Sequence, residues 1–134
     1  MTTVVSDSLT VFVPTRLVNP TNERAHWRVR STRAKAQRDA VSLAVWAALR
    51  DPQRGARMTV WRITAKPSTP KRIRLVAHVV RRFDSDNLQA AMKHVRDGLQ
   101  DCGLIHSDGP DSGHVFMYEQ ITGKPYGVTI TVTL

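Results

Sequence analysis

Asp84 and Asp86 stand two positions apart in the run Arg81-Arg82-Phe83-Asp84-Ser85-Asp86-Asn87-Leu88, and Asp108 follows 22 positions after Asp86. In extended backbone, side chains two apart point the same way, so this pair can converge on one cation. Mg²⁺ takes few carboxylates and keeps several waters, a habit that this supply of oxygen donors matches. Lys93 is seven positions beyond Asp86, about 20° away on an ideal helix wheel. An ammonium there could offset charge developing on a phosphate. Each residue also has a plainer reading. Asp86, Ser85 or Asn87 suits a helix cap, and Asp108 suits a turn. Lys93 could form a surface pair with Asp97 worth roughly 0.3–0.5 kcal/mol.

The charge around these acids narrows the chemistry. Residues 1–82 hold 17 Lys and Arg against 4 Asp and Glu, whereas residues 83–134 hold 3 against 7. A net charge of +9 favours acidic partners, nucleic acid ahead of membrane. Clustered carboxylates would repel such a partner unless a divalent cation lay between them, which points to metal-dependent chemistry on a nucleic-acid backbone. Arg28, Arg30, Arg33, Lys35, Arg38, Arg72, Arg74, Arg81 and Arg82 are the candidate phosphate contacts; the alternative for each is a solvated surface charge. His26 and Trp27 adjoin these cations in a polar loop, where they either stack on exposed bases or pack. Phe83 reads as core. His78, His94, His106 and His114 lack zinc spacing, and the lone Cys102 excludes an intrachain disulfide.

At 134 residues and 41% apolar, one domain spanning 1–134 with a single core is expected. Leu9, Val11 and Val13 alternate with Thr10 and Phe12 in a first strand that Pro14 stops. Thr32 can cap a helix reaching about Arg50, with Val41, Ala44, Val45, Ala48 and Leu49 as its buried side. Strands are expected near 57–65 and 71–80, then a helix from about Asp86 to Asp101. The stripe of that helix is Leu88, Ala91, Met92, Val95, Leu99 and Cys102, and Gly103 suits a left-handed cap. Strands near 114–121 and 126–134 read as a hairpin across Gly123-Lys124-Pro125. The order β-α-β-β-α-β-β predicts an α+β fold, two helices on a largely antiparallel or mixed sheet. No run approaches the roughly 18 apolar residues of a membrane span. Residues 1–15 carry no secretory pattern, so a cytoplasmic protein is expected.

The order of these features resembles the RusA family of Holliday junction resolvases. The likeness runs through Arg82-Phe83-Asp84-Ser85-Asp86-Asn87-Leu88, Lys93, Asp97-Gly98-Leu99, Gly103-Leu104-Ile105 and Asp108. Pro20-Thr21-Asn22 is similar to the family's P-S/T-N element, and Lys35 with Arg38 to its first helix. The resemblance implies a Mg²⁺-dependent endodeoxyribonuclease, often phage or prophage encoded, acting as a homodimer on four-way DNA junctions by symmetric paired nicks. It implies Asp84, Asp86 and Asp108 as metal ligands and Lys93 as the catalytic lysine. Two positions depart from the pattern. Some members place the lysine four beyond the second aspartate, where this chain has Ala90, and the acidic turn often carries adjacent aspartates where this chain has Ser107-Asp108. The rival expectations are a nucleic-acid-binding module without catalysis, and a less selective nuclease acting on branched DNA.

Overall fold

Period-two alternation makes one face of each strand apolar, and those faces meet in a single layer. The computed structural model describes residues 8–18, 26–50 and 66–134. Its elements are β1 (Ser8–Val13), α1 (Trp27–Arg50), β2 (Arg72–Val79), α2 (Ser85–Ala91), α3 (Lys93–Asp101), β3 (Val115–Thr122) and β4 (Gly127–Thr133). The four strands form one mixed sheet in the order β1-β4-β2-β3. β4 runs antiparallel to both β1 and β2, while β2 and β3 are parallel. Leu9, Val11, Val13, Ile73, Leu75, Ala77, Val128, Ile130 and Val132 are buried beneath the helices, which contribute Val41, Val45, Leu88, Met92, Val95 and Leu99. This is the α+β architecture expected. No described helix is long and apolar enough to cross a membrane.

Three local expectations are corrected. First, β3 and β4 do not pair as a hairpin: β2 lies between them. The chain turns over the end of β2, with the Gly123 amide donating to the Val79 carbonyl at 3.1 Å. Burial explains the choice. β4 buries every second residue fully and takes a central place, whereas β3, carrying Glu119 and Gln120, has no fully buried residue and takes the edge. Second, α1 starts at Trp27 and not near Thr32. The His26 ring Nδ1 accepts the Arg28 amide at 3.2 Å, and the His26 carbonyl accepts those of Val29 and Arg30. Histidine therefore does the capping normally done by Ser, Thr, Asp or Asn. Third, the second predicted helix is broken at buried Met92, whose amide is shared between the Leu88 and Gln89 carbonyls, both at 3.2 Å. Gly103 does end α3 in a left-handed conformation, with φ 81°. The strand expected near 57–65 lies outside the described residues.

α1 and α3 pack closely because residue 98 is glycine. A Cβ added there would lie 2.7 Å from the Val41 Cβ and 3.0 Å from the Arg38 carbonyl oxygen. Alanine would recover about 1 kcal/mol of helix propensity, but overpacking of this kind costs about 1–3 kcal/mol. Gly98→Ala is expected to destabilise the protein by about 1 kcal/mol and Gly98→Val by about 3 kcal/mol. Urea unfolding checks this; unchanged midpoints for both variants would show that the two helices can separate without penalty. Beside this contact Arg38 grips Asp101 with both ends of its guanidinium, at 2.7 and 2.8 Å. That hydrogen-bonded pairing holds the Asp101 carboxyl below the usual carboxylate range and raises the Arg38 pKa.

Candidate nucleic-acid interface

The junction between β2 and α2 is fixed by a residue far along the chain. Gln120 of β3 accepts the Phe83 amide through Oε1 and donates to the Phe83 carbonyl through Nε2, both at 2.8 Å. One side-chain amide thus ties the segment after β2 back onto β3 at Gln120, which pairs with Ala77 within the ladder. Polar Gln120 at an inward-facing position of β3, in line with Phe116 and Tyr118, signals that its amide has a partner but not which one. From Phe83 the backbone passes through Asp84, extended at φ −63° and ψ 155°, whose carbonyl accepts the Leu88 amide at 2.8 Å. Asp84 is therefore the N-cap residue, yet its side chain makes no capping hydrogen bond. Asp86 stands in the first turn of α2, where the helix dipole favours a carboxylate. Both aspartates are exposed, and among the described residues neither forms an ion pair.

A groove runs past this junction. It is built from three adjoining cavities of about 390, 530 and 750 Å³ that share lining residues. The first and second share Val18, Arg33 and Gln37; the second and third share Arg16, Leu17 and Phe83. Arg16, Arg30, Arg33 and Arg81 line it, and its described lining includes no carboxylate. Phe83, immediately before Asp84, is in its wall, and Ala90, one helical turn after Asp86, is at its end. The two acids line none of these three cavities themselves; each is next to the groove through a lining neighbour, Asp84 through Phe83 and Asp86 through Ala90. Buried Gln37 holds one bank in place by donating to the Arg16 carbonyl at 2.8 Å.

Not all the candidate phosphate contacts share this face. Arg30, Arg33 and Arg81 line the groove, and exposed Arg28 adjoins it on α1. Arg82 turns to a neighbouring cavity with Ser85 and Gln89. Lys35 pairs with Asp39 at 2.8 Å, and Arg38 with Asp101. Arg72 and Arg74 alternate with the buried residues of β2 and project from the opposite side of the sheet. There Arg74 forks onto Glu119, holding that carboxyl below its usual range. Arg16, absent from the sequence-based set, joins the groove instead. Its only signal is its place just past the Pro14 strand stop.

Asp108 and Lys93 are engaged elsewhere. The Asp108 carboxylate receives Arg96 Nε at 3.4 Å. The same guanidinium donates to the Gln89 carbonyl at 2.8 Å and the Tyr118 hydroxyl at 3.1 Å, with its centre 5.7 Å from the Tyr118 ring centroid. Arg96 thereby ties the acidic turn to α2 and β3. Lys93 Nζ lies 3.6 Å from Asp97, as does His94 Nδ1, which is too long for a hydrogen bond to that nitrogen. The helix-wheel alignment of Lys93 with Asp86 presumed an unbroken helix, and the break falls at Met92 between them. Among the described residues no three Asp, Glu, His or Cys side chains form a group able to hold a metal ion.

The acidic turn is also anchored from behind. The His106 amide donates to the Pro67 carbonyl at 3.2 Å, and His114 Nε2 lies 3.2 Å from His106 Nδ1. His114 Nδ1 accepts the Lys71 amide at 3.2 Å. This assigns the His114 proton to Nε2 and leaves neither nitrogen open to a metal. Burial, then the nearby Lys71 and His106 charges, push the His114 pKa down. Buried Lys71 donates to the Lys66 and Thr69 carbonyls at 2.6 and 3.0 Å. Cys102, expected to pack, is half-buried, and its thiol donates to the Leu99 carbonyl at 3.4 Å. No model of a known protein family matches this chain, and no curated protein matches its sequence.

Proposed function

We propose that the chain is a Mg²⁺-dependent endodeoxyribonuclease that cuts four-way DNA junctions by paired, symmetric nicks as a homodimer. The single observation that carries this reading is the pair of exposed acids, Asp84 and Asp86, beside a groove lined by four arginines. The resemblance to RusA resolvases through residues 81–108 supports it. Beyond the modest helix-dipole benefit of Asp86, carboxylates there do nothing for attraction to phosphate, which leaves room for a bound cation.

Asp84 and Asp86 fit a hard cation, because both oxygen sets are exposed and uncommitted among the described residues. Mg²⁺ is commonly held by one or two carboxylates together with substrate phosphates. When bound, it supplies charge neutralisation at the phosphoryl oxygens and makes water easier to deprotonate. The residues of the chain do the rest. Arg16, Arg30, Arg33 and Arg81 hold the strand by its phosphates, and Gln120 keeps the acid-bearing junction rigid against β3. Lys93, 3.6 Å from Asp97, and Asp108, held by Arg96, would have to give up those partners to serve the site, Lys93 by offsetting charge on a phosphate and Asp108 as a further carboxylate for the cation.

That engagement of Asp108 favours a second reading, a nucleic-acid-binding module without catalysis. Comparative cutting of a synthetic four-way junction, a replication fork and linear duplex separates the possibilities. The resolvase reading expects paired nicks on the junction alone. Equal cutting of all three would identify a less selective nuclease, and tight binding with no cutting would identify the module.

A further inference from the structure

At the α1 end of the groove, one cavity has features that phosphate binding alone does not require. It is the cavity of about 390 Å³, formed between the N-terminal half of α1 and the end of α2. Trp27 lines it and is 60% exposed, although an indole gains more from burial than almost any other side chain. The Arg28 guanidinium lies 5.4 Å from the indole centroid, and the His26 ring lies 5.6 Å away. The lining also includes Ala34 of α1 and Ala90 and Ala91 of α2, three small side chains that leave the space open. Arg30 and Arg33 flank it.

This combination works against stability. The first turn of α1 carries Arg28 and Arg30 and no acidic residue, the reverse of what the helix dipole favours. A ligand bearing negative charge beside a flat aromatic group would reverse both penalties. Phosphates would face the arginines, and a planar ring would cover the indole. We propose that this cavity takes one unpaired nucleobase of DNA, stacked on Trp27 with its neighbouring phosphates on Arg30 and Arg33. Base stacking of this kind tolerates any sequence, since every base has a π face. It would direct the groove to DNA whose bases are open, as at a branch point, over continuous duplex. The proposal rests on the nucleic-acid reading of the groove and adds a base to its phosphate contacts.

The test compares binding of the full chain to a single-stranded oligonucleotide and to duplex of the same length. Trp27→Ala should weaken single-strand binding by about 5- to 150-fold, the range measured for loss of one stacked base. Duplex binding, held by phosphate contacts, should stay within roughly 2-fold. Ala90→Leu, which fills the cavity without removing an aromatic group or a charge, should give the same selective loss. Trp27→Phe should retain most of the affinity. Both positions are exposed, and thermal melts that match the wild type confirm folding. Equal losses on both DNAs, or none on either, would overturn the base pocket while leaving the groove reading intact. Failure of the wild type to bind either DNA would overturn the groove reading and this proposal together.

Discussion

Asp84→Asn and Asp86→Asn should each reduce Mg²⁺-dependent junction cleavage by about 10³-fold or more, roughly 4 kcal/mol of transition-state stabilisation. Junction binding without Mg²⁺ should be unchanged or slightly tighter. The reason is the position of the two acids beside a groove of arginines, with no described partner for either. An amide keeps the size and polarity of the carboxylate but removes the charge a hard cation needs. Without Mg²⁺, removing negative charge cannot weaken attraction to phosphate, so a loss of binding under that condition would point to a folding defect. Asp84 makes no capping hydrogen bond and Asp86 contributes only its place near the α2 N-terminus, so stability should fall by no more than about 1 kcal/mol. Single-turnover cleavage with a gel-shift measurement on the same preparations checks both halves of the expectation. Wild-type cleavage rates in either variant would remove that residue from the site.

The second large effect is on salt dependence. Arg16, Arg30, Arg33 and Arg81 in the groove, with exposed Arg28 adjoining it on α1, can neutralise five phosphates. This predicts a log–log slope of about −4.5 on duplex DNA, a loss of about 500-fold in affinity between roughly 50 and 200 mM salt. The geometry sharpens the test, because the candidate cations are not equivalent. The double variant Arg16→Ala with Arg81→Ala should make the slope shallower by about 2 units. Arg72→Ala with Arg74→Ala, on the opposite face of the sheet, should leave it unchanged. Equal changes from the two doubles, measured by fluorescence anisotropy, would mean that DNA does not follow the groove.

The contrast between these arginines marks where sequence reasoning succeeds. Alternation in β2 and β4 identified the buried faces correctly, since Ile73, Leu75, Ala77, Val128, Ile130 and Val132 are all buried. The stripe Leu88, Ala91, Met92, Val95 and Leu99 likewise faces the core. Local periodicity carries that information. It carries no information about which strand lies beside which, so the passage of β4 to the far side of β2 was not legible. Nor was the N-terminal start of α1, where a histidine ring substitutes for a usual cap.

At the β2–α2 junction, the exposure of Asp84 and Asp86 was legible because it is set locally; their convergence was not, since it presumed extended backbone at both and Asp86 lies in the first turn of α2. Nor were long-range side-chain partnerships legible. Gln120 is 37 residues from Phe83, and no spacing rule connects an edge-strand glutamine to a strand end. Arg96 carries no local signal of its role, since its contacts with Asp108, Gln89 and Tyr118 join a helix to a turn and an edge strand. Arg38 and Arg74 read as free cations because Asp101 and Glu119 lie 63 and 45 residues away. A charge count along the chain therefore overstates the positive surface available to a polyanion. The groove, defined by four arginines, is the better guide.

One measurement bears on the central claim more directly than any other: nicking of a synthetic four-way junction with and without Mg²⁺, resolved on a denaturing gel with each strand labelled in turn. The account predicts paired nicks at symmetry-related positions in two opposing strands, dependent on Mg²⁺ and absent in Asp84→Asn. A junction bound by the wild type in Mg²⁺ but left whole would contradict it, and would make the two acids beside the groove bystanders to a purely binding surface.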